Sequence, residues 1–116
     1  MIKIYTIGTI SCDPYWKYKF RKVKAKWEAL GFTVLSPLDH PAGLTYDEYM
    51  QRSIQYVFEC DGMVQLSDWR KSPGAVAETG LVHALNSSME CRQRPCIEDG
   101  SIYEKTFIEH FMGVIA

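Results

Sequence analysis

The sequence predicts an α/β domain built on a parallel sheet with helices on both faces. Short, almost entirely apolar runs alternate along the chain with longer segments whose apolar residues recur at helical spacing. Parallel strands that are buried on both faces have this continuous apolar character, and they need helical crossovers between them, which are right-handed. The 116 residues are the right number for one domain, residues 1–116, with a single core.

Four segments are predicted as strands. Each is short, mostly apolar and bounded by glycine, proline or polar residues, and they cover residues 2–8, 32–37, 62–66 and 94–98. The fourth has the weakest pattern. Because the carboxyl ends of parallel strands meet at one edge of the sheet, ligands collect there, and the loops GTISCDPYW, SPLDHPAG and SDWRKSPG are expected at that edge.

The first two helices are predicted from apolar spacing and from end signals. The first follows Asp13 and Pro14 and stops at Gly31, and its apolar positions are Phe20, Val23, Trp27 and Leu30. The second starts at Thr45, with Glu48 placed to complete a capping box. Its predicted apolar face consists of Tyr49, Ile54, Val57 and Phe58.

The third helix is predicted to begin near Pro73, with Ser72 as its cap, and the closing helix covers residues 103–115. In the third helix Glu78 lies among apolar or small neighbours at the i±3 and i±4 positions. The carboxylate therefore faces inward, although from spacing alone it could equally reach water from the edge of the apolar stripe. An ionised carboxylate buried without partners costs several kcal/mol, so helix amide groups, a loop or a ligand must compensate.

Charge and hydropathy exclude several classes of partner. The 13 basic and 14 acidic side chains give a formal charge of −1, so duplex nucleic acid is not an expected partner. The basic run at residues 17–26 is interpreted as a solvated helix face. We predict no signal peptide, and no window has the roughly 18 apolar residues that span a bilayer, so we expect no membrane partner and a cytoplasmic location.

The four cysteines are expected to be reduced thiols. Cys91 and Cys96 have a spacing that zinc tolerates, but no second pair completes a tetrahedral set. We therefore predict no metal and no cofactor.

Three stretches together resemble the nucleoside 2-deoxyribosyltransferase superfamily, which includes the 2'-deoxynucleoside 5'-phosphate N-hydrolases. They are IKIYTIG with Tyr5, the strand CDGMVQL, and SPGAVAETG with its serine, glycine and glutamate. The chain is most similar to short members that share DHPAGLTYDEYM and a tryptophan loop such as SDWRKSPGA. The resemblance implies a flavodoxin-like (Rossmann-like) three-layer sandwich with four or five parallel strands, and a homodimer or larger homo-oligomer.

The resemblance also implies a chemistry and a site. Glu78 would attack C1' of a deoxyribosyl group, and the resulting ester would pass to water or to another base. Tyr5 would orient the carboxylate. Ser72 and Gly74, at a helix amino-terminus that suits an anion, would hold a 5'-phosphate, and Gly8 would belong to the same substrate-binding loop edge.

One position departs from the family pattern, because Ser53 occupies the place of an aspartate that positions the sugar or donates a proton. Either Asp61, Asp68 or Asp13 substitutes for it, or the reaction is weak or absent. Asp61 is taken as the catalytic candidate, although it is more often a structural turn residue, and Asp68, in the loop beside the expected pocket, as a substrate-binding residue. Trp69 would stack on a base or contact another subunit. His40 would close over the sugar or have a structural role.

The predicted function is therefore cleavage of the N-glycosidic bond of a nucleoside or its 5'-monophosphate, a small-molecule partner. Two alternatives stay open. The chain could bind a nucleotide or nucleotide-sugar without turnover, as Ser53 suggests. It could also be an oligomeric interaction protein, given its 13% aromatic content.

Overall fold

The computed structural model describes residues 1–113 and confirms the predicted α/β class. Four parallel strands form one sheet: β1 (Lys3–Ile7), β2 (Thr33–Leu35), β3 (Gly62–Gln65) and β4 (Cys96–Glu98). Within the described residues the α-helices are α1 (Trp16–Ala29), α2 (Tyr46–Glu59), α3 (Pro73–Asn86) and α4 (Glu104–Met112). The end of the predicted closing helix, residues 114–115, lies outside the described residues. In residues 1–113 no helix combines the length and the apolar character needed to cross a bilayer.

The strand order is β2-β1-β3-β4, which is the flavodoxin-like order expected from the resemblance. The central strand β1 pairs with β2 on one side and β3 on the other, and Tyr5 is in register with Leu35 and Met63. The chain direction across the sheet therefore reverses between β1 and β3. In open parallel sheets the crevice at such a reversal, beyond the carboxyl ends of the strands, is where ligands bind.

Alternation along the strands divides the core into two layers. Ile4 and Val64 face α1 and α4, and there Trp27 packs edge-on against Phe32 and Phe107, with ring centroids 5.6 and 5.5 Å apart. We call these three rings the aromatic cluster. Residues on the opposite face pack against α2 and α3, and they are Tyr5, Ile7 and Met63 of the sheet with Val57 and Val82 of the helices. The second layer carries the site described below.

The cap signals in the sequence were read correctly at α2 and α3. Thr45 and Glu48 form both hydrogen bonds of a capping box, at 3.2 and 3.1 Å. Ser72 Oγ accepts a hydrogen bond from the Ala75 amide at 3.2 Å. Helix α1 begins later than predicted, at Trp16, because the Asp13 carboxylate accepts a hydrogen bond from the Tyr15 amide in a turn that precedes the helix.

Three residues on the predicted apolar faces of α1 and α2 are exposed, so those faces were partly misplaced. Leu30 is 41% exposed because α1 ends one residue before it, and Ile54 and Phe58 are 39% and 50% exposed. The buried stripe of α2 instead follows Ser53 and Val57. Because this stripe contains a serine, a prediction that counts only apolar side chains does not identify it.

Candidate active site

A cavity of about 520 Å³ opens at the carboxyl end of β1. Its walls come from the loop after β1, the first turn of α2 and the first two turns of α3, and they include Gly8, Tyr46, Tyr49, Ser72, Gly74 and Glu78. Tyr5 forms part of the floor. The cavity therefore occupies the crevice that the strand order predicts.

Glu78 lies in this cavity and is only 6% exposed, which confirms that its carboxyl group faces inward. Burial raises the pKa of Glu78 from 4.5 to about 7, and a hydrogen bond from Tyr5 opposes part of that rise. The second carboxyl oxygen, Oε2, is buried and has no hydrogen-bond partner among the described residues. A buried acceptor without a partner is costly, and it commonly marks a functional position.

Two tyrosines flank the carboxyl group. Burial, followed by the nearby Glu78 charge, raises the pKa of Tyr5 well above 10 and the pKa of Tyr49 to about 12. Hydrogen bonding by Ser53 opposes part of the rise in the pKa of each tyrosine, and Ser53 is itself fully buried and does not line the cavity. Tyr5 and Tyr49 therefore stay protonated at neutral pH and are available as hydrogen-bond donors.

The amino-terminus of α3 forms one end of the cavity. Ser72 caps the helix, and Lys71 beside it also lines the cavity. A Cβ placed on Gly74 would meet no atom closer than Met50 Sδ at 3.7 Å, so there is open space at this end. Helix amide groups, a hydroxyl and an ammonium group facing open space form a suitable environment for an anion.

Gly8 lines the cavity, and a steric reason that the sequence does not show requires a glycine at this position. A Cβ at this position would lie 2.9 Å from Leu66 Cβ and 3.1 Å from Asp68 Oδ1. Asp68 is fully engaged there: its carboxylate accepts hydrogen bonds from the Thr9 amide and from Lys19 Nζ, both at 3.1 Å. Asp68 therefore fastens the loop after β1 and is not among the residues that line the cavity, so its role in substrate binding stays a prediction.

Asp61 lies at the opposite edge of the sheet from the cavity, so the structure does not bring this predicted catalytic residue together with Glu78. It precedes β3, accepts a hydrogen bond from the Lys3 amide at 2.8 Å and forms an ion pair with Arg92. Asp13 is likewise paired, with Lys19 at 2.7 Å. Among the described residues that line the cavity, Glu78 is the sole carboxyl group. The expected carboxylic acid in place of Ser53 is therefore missing from the cavity wall.

Trp69 and His40 also lie away from the cavity wall. The Trp69 ring packs against the core layer of α2 and α3, and the Arg70 guanidinium lies 4.8 Å from the ring centroid. His40 stacks on Tyr56 and contacts Tyr49, in an adjoining groove of about 680 Å³ between α1 and residues 37–44 that shares Tyr49 with the cavity wall. Neither residue is among those that line the cavity beside Glu78, so the substrate-binding roles of both stay predictions.

The first turn of α2 was not identified from the sequence as part of the site. Tyr46, Tyr49 and Met50 line the cavity, whereas the sequence pattern drew attention only to Tyr49, as part of the apolar face of the helix. Their i, i+3 and i+4 spacing next to the Thr45 cap was the available signal, because those positions share one face at the helix end.

Comparison with known proteins supports the fold and the family. In structure, the chain is similar to a 2-deoxyribosyltransferase from Bacillus psychrosaccharolyticus, with a TM-score of 0.59 and 17% identity over 86% of this chain and 75% of that one. This likeness confirms the resemblance at the level of the fold. A search of curated proteins gave no match. The family model described as a domain of unknown function, DUF4406, matches residues 2–90, which include every residue of the cavity wall named above. The chain belongs to the DUF4406 family.

Proposed function

We propose that the protein cleaves the N-glycosidic bond of a deoxynucleoside or its 5'-monophosphate, as a hydrolase or a deoxyribosyltransferase, with Glu78 as the nucleophile. The observation that carries this proposal is the buried Glu78 carboxyl group, with one oxygen lacking a partner among the described residues, in a cavity of about 520 Å³. That volume lies within the range of small-molecule sites. The shared fold with a 2-deoxyribosyltransferase supports the same reaction class.

The proposed reaction has two steps. A Glu78 carboxylate oxygen bonds to C1' as the bond from C1' to the base nitrogen breaks, and the base leaves with that electron pair and takes up a proton. Water or a second base then attacks C1' of the ester and releases Glu78. Tyr5 would hold the carboxylate by its hydrogen bond, and the Tyr49 hydroxyl, which lines the cavity and whose pKa the Glu78 charge raises, would donate toward the departing base.

The anion-binding end of the cavity supports a 5'-monophosphate as the substrate form. Ser72, Gly74 and Lys71 lie together at the start of α3, while Glu78 is one turn further along the same helix. A phosphate at the helix amino-terminus would therefore place the attached sugar over the carboxyl group.

The test is to incubate the protein with the common deoxynucleosides and their 5'-monophosphates and to measure free base by chromatography. We expect release by the parent and a loss on the order of 10⁴-fold in Glu78→Gln. Glu90→Gln, an exposed acid on the loop after α3, is the matched control and should keep full activity. Acid-quenched samples analysed by mass spectrometry should carry a deoxyribosyl group on the peptide that contains Glu78. If no substrate releases base, or if Glu78→Gln matches the parent, the proposal fails.

A second candidate function is nucleotide binding without turnover, and one observation favours it. Within the described cavity wall no carboxyl group other than Glu78 is available as a general acid. Calorimetric titration with a deoxynucleoside monophosphate would then show binding while chromatography shows no free base. Glu78→Ala would change the affinity alone.

A further inference from the structure

The groove between α1 and residues 37–44 adjoins the cavity at a wall that α3 does not form. The two spaces share four lining residues, which are Ile10, Pro37, Leu44 and Tyr49. Among the described residues, none of α3 lines the groove. The start of α3, where the anion-binding end of the cavity lies, and the groove therefore border different sides of the space beside Glu78.

The α1 side of this groove carries an excess of positive charge. Lys17, Arg21 and Lys24 line it at i, i+4 and i+7 spacing, which places them on one helix face within about 10 Å along the axis. Lys24 Nζ lies 3.5 Å from Asp39, whereas Lys17 and Arg21 have no ion-pair partner among the described residues. The other acidic side chain of the groove, Glu28, follows one turn after Lys24, further from the loop after β1.

An aromatic ring lies beside these cations. Trp16 lines the groove and is half-buried, and its ring packs edge-on against Phe20 with centroids 6.0 Å apart. Lys17 Nζ lies 5.7 Å from the centroid of the Trp16 ring. Leu38 adds an apolar surface from the other wall. Cations next to an aromatic surface are the combination that binds the phosphates and bases of single nucleotide strands.

We propose that the groove binds a second phosphate group on the 3' side of the substrate, so that the preferred substrate carries phosphates at both its 5' and its 3' positions. This inference rests on the proposed function, in which the 5'-phosphate lies at the start of α3 and C1' lies at Glu78. The base and the 3' oxygen are then the directions in which the substrate extends. A neutral base offers no charge to Lys17 and Arg21, whereas a 3'-phosphate complements both.

The second phosphate has two chemical sources. It can belong to a nucleoside 3',5'-bisphosphate, or it can be the phosphodiester that links the first nucleotide to a following one. In the second case the following base would lie in the groove, where the Trp16 ring is available for stacking. Both sources place the same group beside Lys17 and Arg21.

Calorimetric titration of Glu78→Gln, which lacks the proposed nucleophile and so keeps its ligands intact, tests the groove. The ligands are deoxyadenosine 5'-monophosphate, its 3',5'-bisphosphate, its 5'-diphosphate and the 5'-phosphorylated dinucleotide of deoxyadenosine. We expect the bisphosphate to bind on the order of tenfold more tightly than the monophosphate, and the 5'-diphosphate to lack this gain. A dinucleotide that binds more tightly than the bisphosphate identifies the following nucleotide as the occupant, and equal affinities identify the bisphosphate.

Two double variants in the same background assign the gain to the groove. Lys17→Gln/Arg21→Gln should reduce the affinity for the bisphosphate to that for the monophosphate. Lys22→Gln/Lys105→Gln removes two exposed cations that do not line the groove, and it should keep the full gain.

Three results would overturn the inference. They are equal affinities for the monophosphate and the bisphosphate, a gain that the 5'-diphosphate shares, and an equal loss in both double variants, since the last two indicate a general effect of charge. Absence of binding by every ligand overturns it as well. Because Glu78→Gln is measured for binding alone, a parent that releases no base counts against the proposed reaction and leaves the result for the groove unchanged.

Discussion

Gln65 in β3 donates a hydrogen bond from Nε2 to Oγ1 of Thr79 in α3 at 3.1 Å. Thr79 directly follows Glu78 in the chain. Both side chains are buried, so this bond fixes α3 against the sheet at the level of the carboxyl group. The position of Glu78 thus depends on a polar contact inside the core layer as well as on apolar packing.

Thr79→Val should therefore destabilise the protein by about 1–3 kcal/mol, because it leaves the Gln65 amide buried without its acceptor. Urea denaturation measures the change. Thr106→Val on the exposed side of α4 is the matched control, expected within about 0.5 kcal/mol of the parent. The double variant Gln65→Leu/Thr79→Val should recover part of the loss, and no recovery would mean that the bond is not the cause.

Glu78→Gln should be more stable than the parent at pH 8, and this gain should be much smaller at pH 5. The pKa of Glu78 is raised from 4.5 to about 7 in the folded state, so the native protein binds this proton more tightly. Stability from this group is consequently present below pH 4.5 and is lost as pH rises through about 7, a difference of about 3 kcal/mol. Urea denaturation at the two pH values should show this gain in Glu78→Gln but not in the exposed control Glu90→Gln. Equal gains in both variants would contradict it.

Ser72→Ala and Ser72→Asp should separate the cap from the proposed phosphate contact. Alanine removes the hydrogen bond to the Ala75 amide and should lower stability by about 0.5–2 kcal/mol. Aspartate keeps a cap but adds a negative charge, so stability should be retained while the affinity for a deoxynucleoside monophosphate falls more than that for the nucleoside. Calorimetric titration measures both ligands. Equal affinities of parent and Ser72→Asp for the monophosphate would exclude Ser72 from phosphate binding.

Gly8→Ala should destabilise the protein by about 1–3 kcal/mol, since the new Cβ would lie 2.9 Å from Leu66 Cβ in the packed core. Gly80→Ala is the matched control. This glycine is in the exposed part of α3, where a Cβ would have no atom within 4 Å, and the change should stabilise by up to about 1 kcal/mol. Thermal denaturation of the two variants should give shifts of opposite sign.

The oligomer implied by the resemblance stays a prediction, and the outer face of α2 and α3 is where it can be tested. Ile54, Phe58 and Val76 are 39%, 50% and 46% exposed on this helix pair. Phe58→Glu should therefore reduce the molar mass measured by light scattering after gel filtration, whereas Tyr18→Glu on α1, 65% exposed, should not. A parent that is monomeric at all concentrations would contradict the prediction.

Local features of the sequence predicted much of the fold and one half of the site. Strand composition indicated the parallel sheet, and capping residues located the starts of α2 and α3. The i±3 and i±4 neighbours of Glu78 indicated an inward direction, although spacing alone left a position at the edge of the apolar stripe equally open. Each of these depends on residues within one or two helical turns, which a sequence records directly.

The remaining parts of the site depend on contacts between distant segments. His40 and Ser53 meet only because the loop after β2 folds over α2, and no spacing in the chain encodes that contact. Asp61 and Asp68 are absent from the cavity wall for different reasons. Asp61 precedes its strand, so the strand direction alone predicts that it lies at the edge of the sheet away from the ligand crevice. Asp68 follows its strand, but its carboxylate is bound by Lys19 of α1, a contact between distant segments.

The aromatic cluster extends the folding unit beyond the end of the family match. The family match ends at residue 90, yet Phe107 of α4 supplies one of the three rings of the cluster, where it covers Trp27 and Phe32. A chain shortened to the matched region would keep the whole cavity wall, but it would expose the apolar surface of Trp27 and Phe32 and leave one edge of β3 unpaired. Such a fragment should aggregate during expression, even though it contains every residue of the cavity wall.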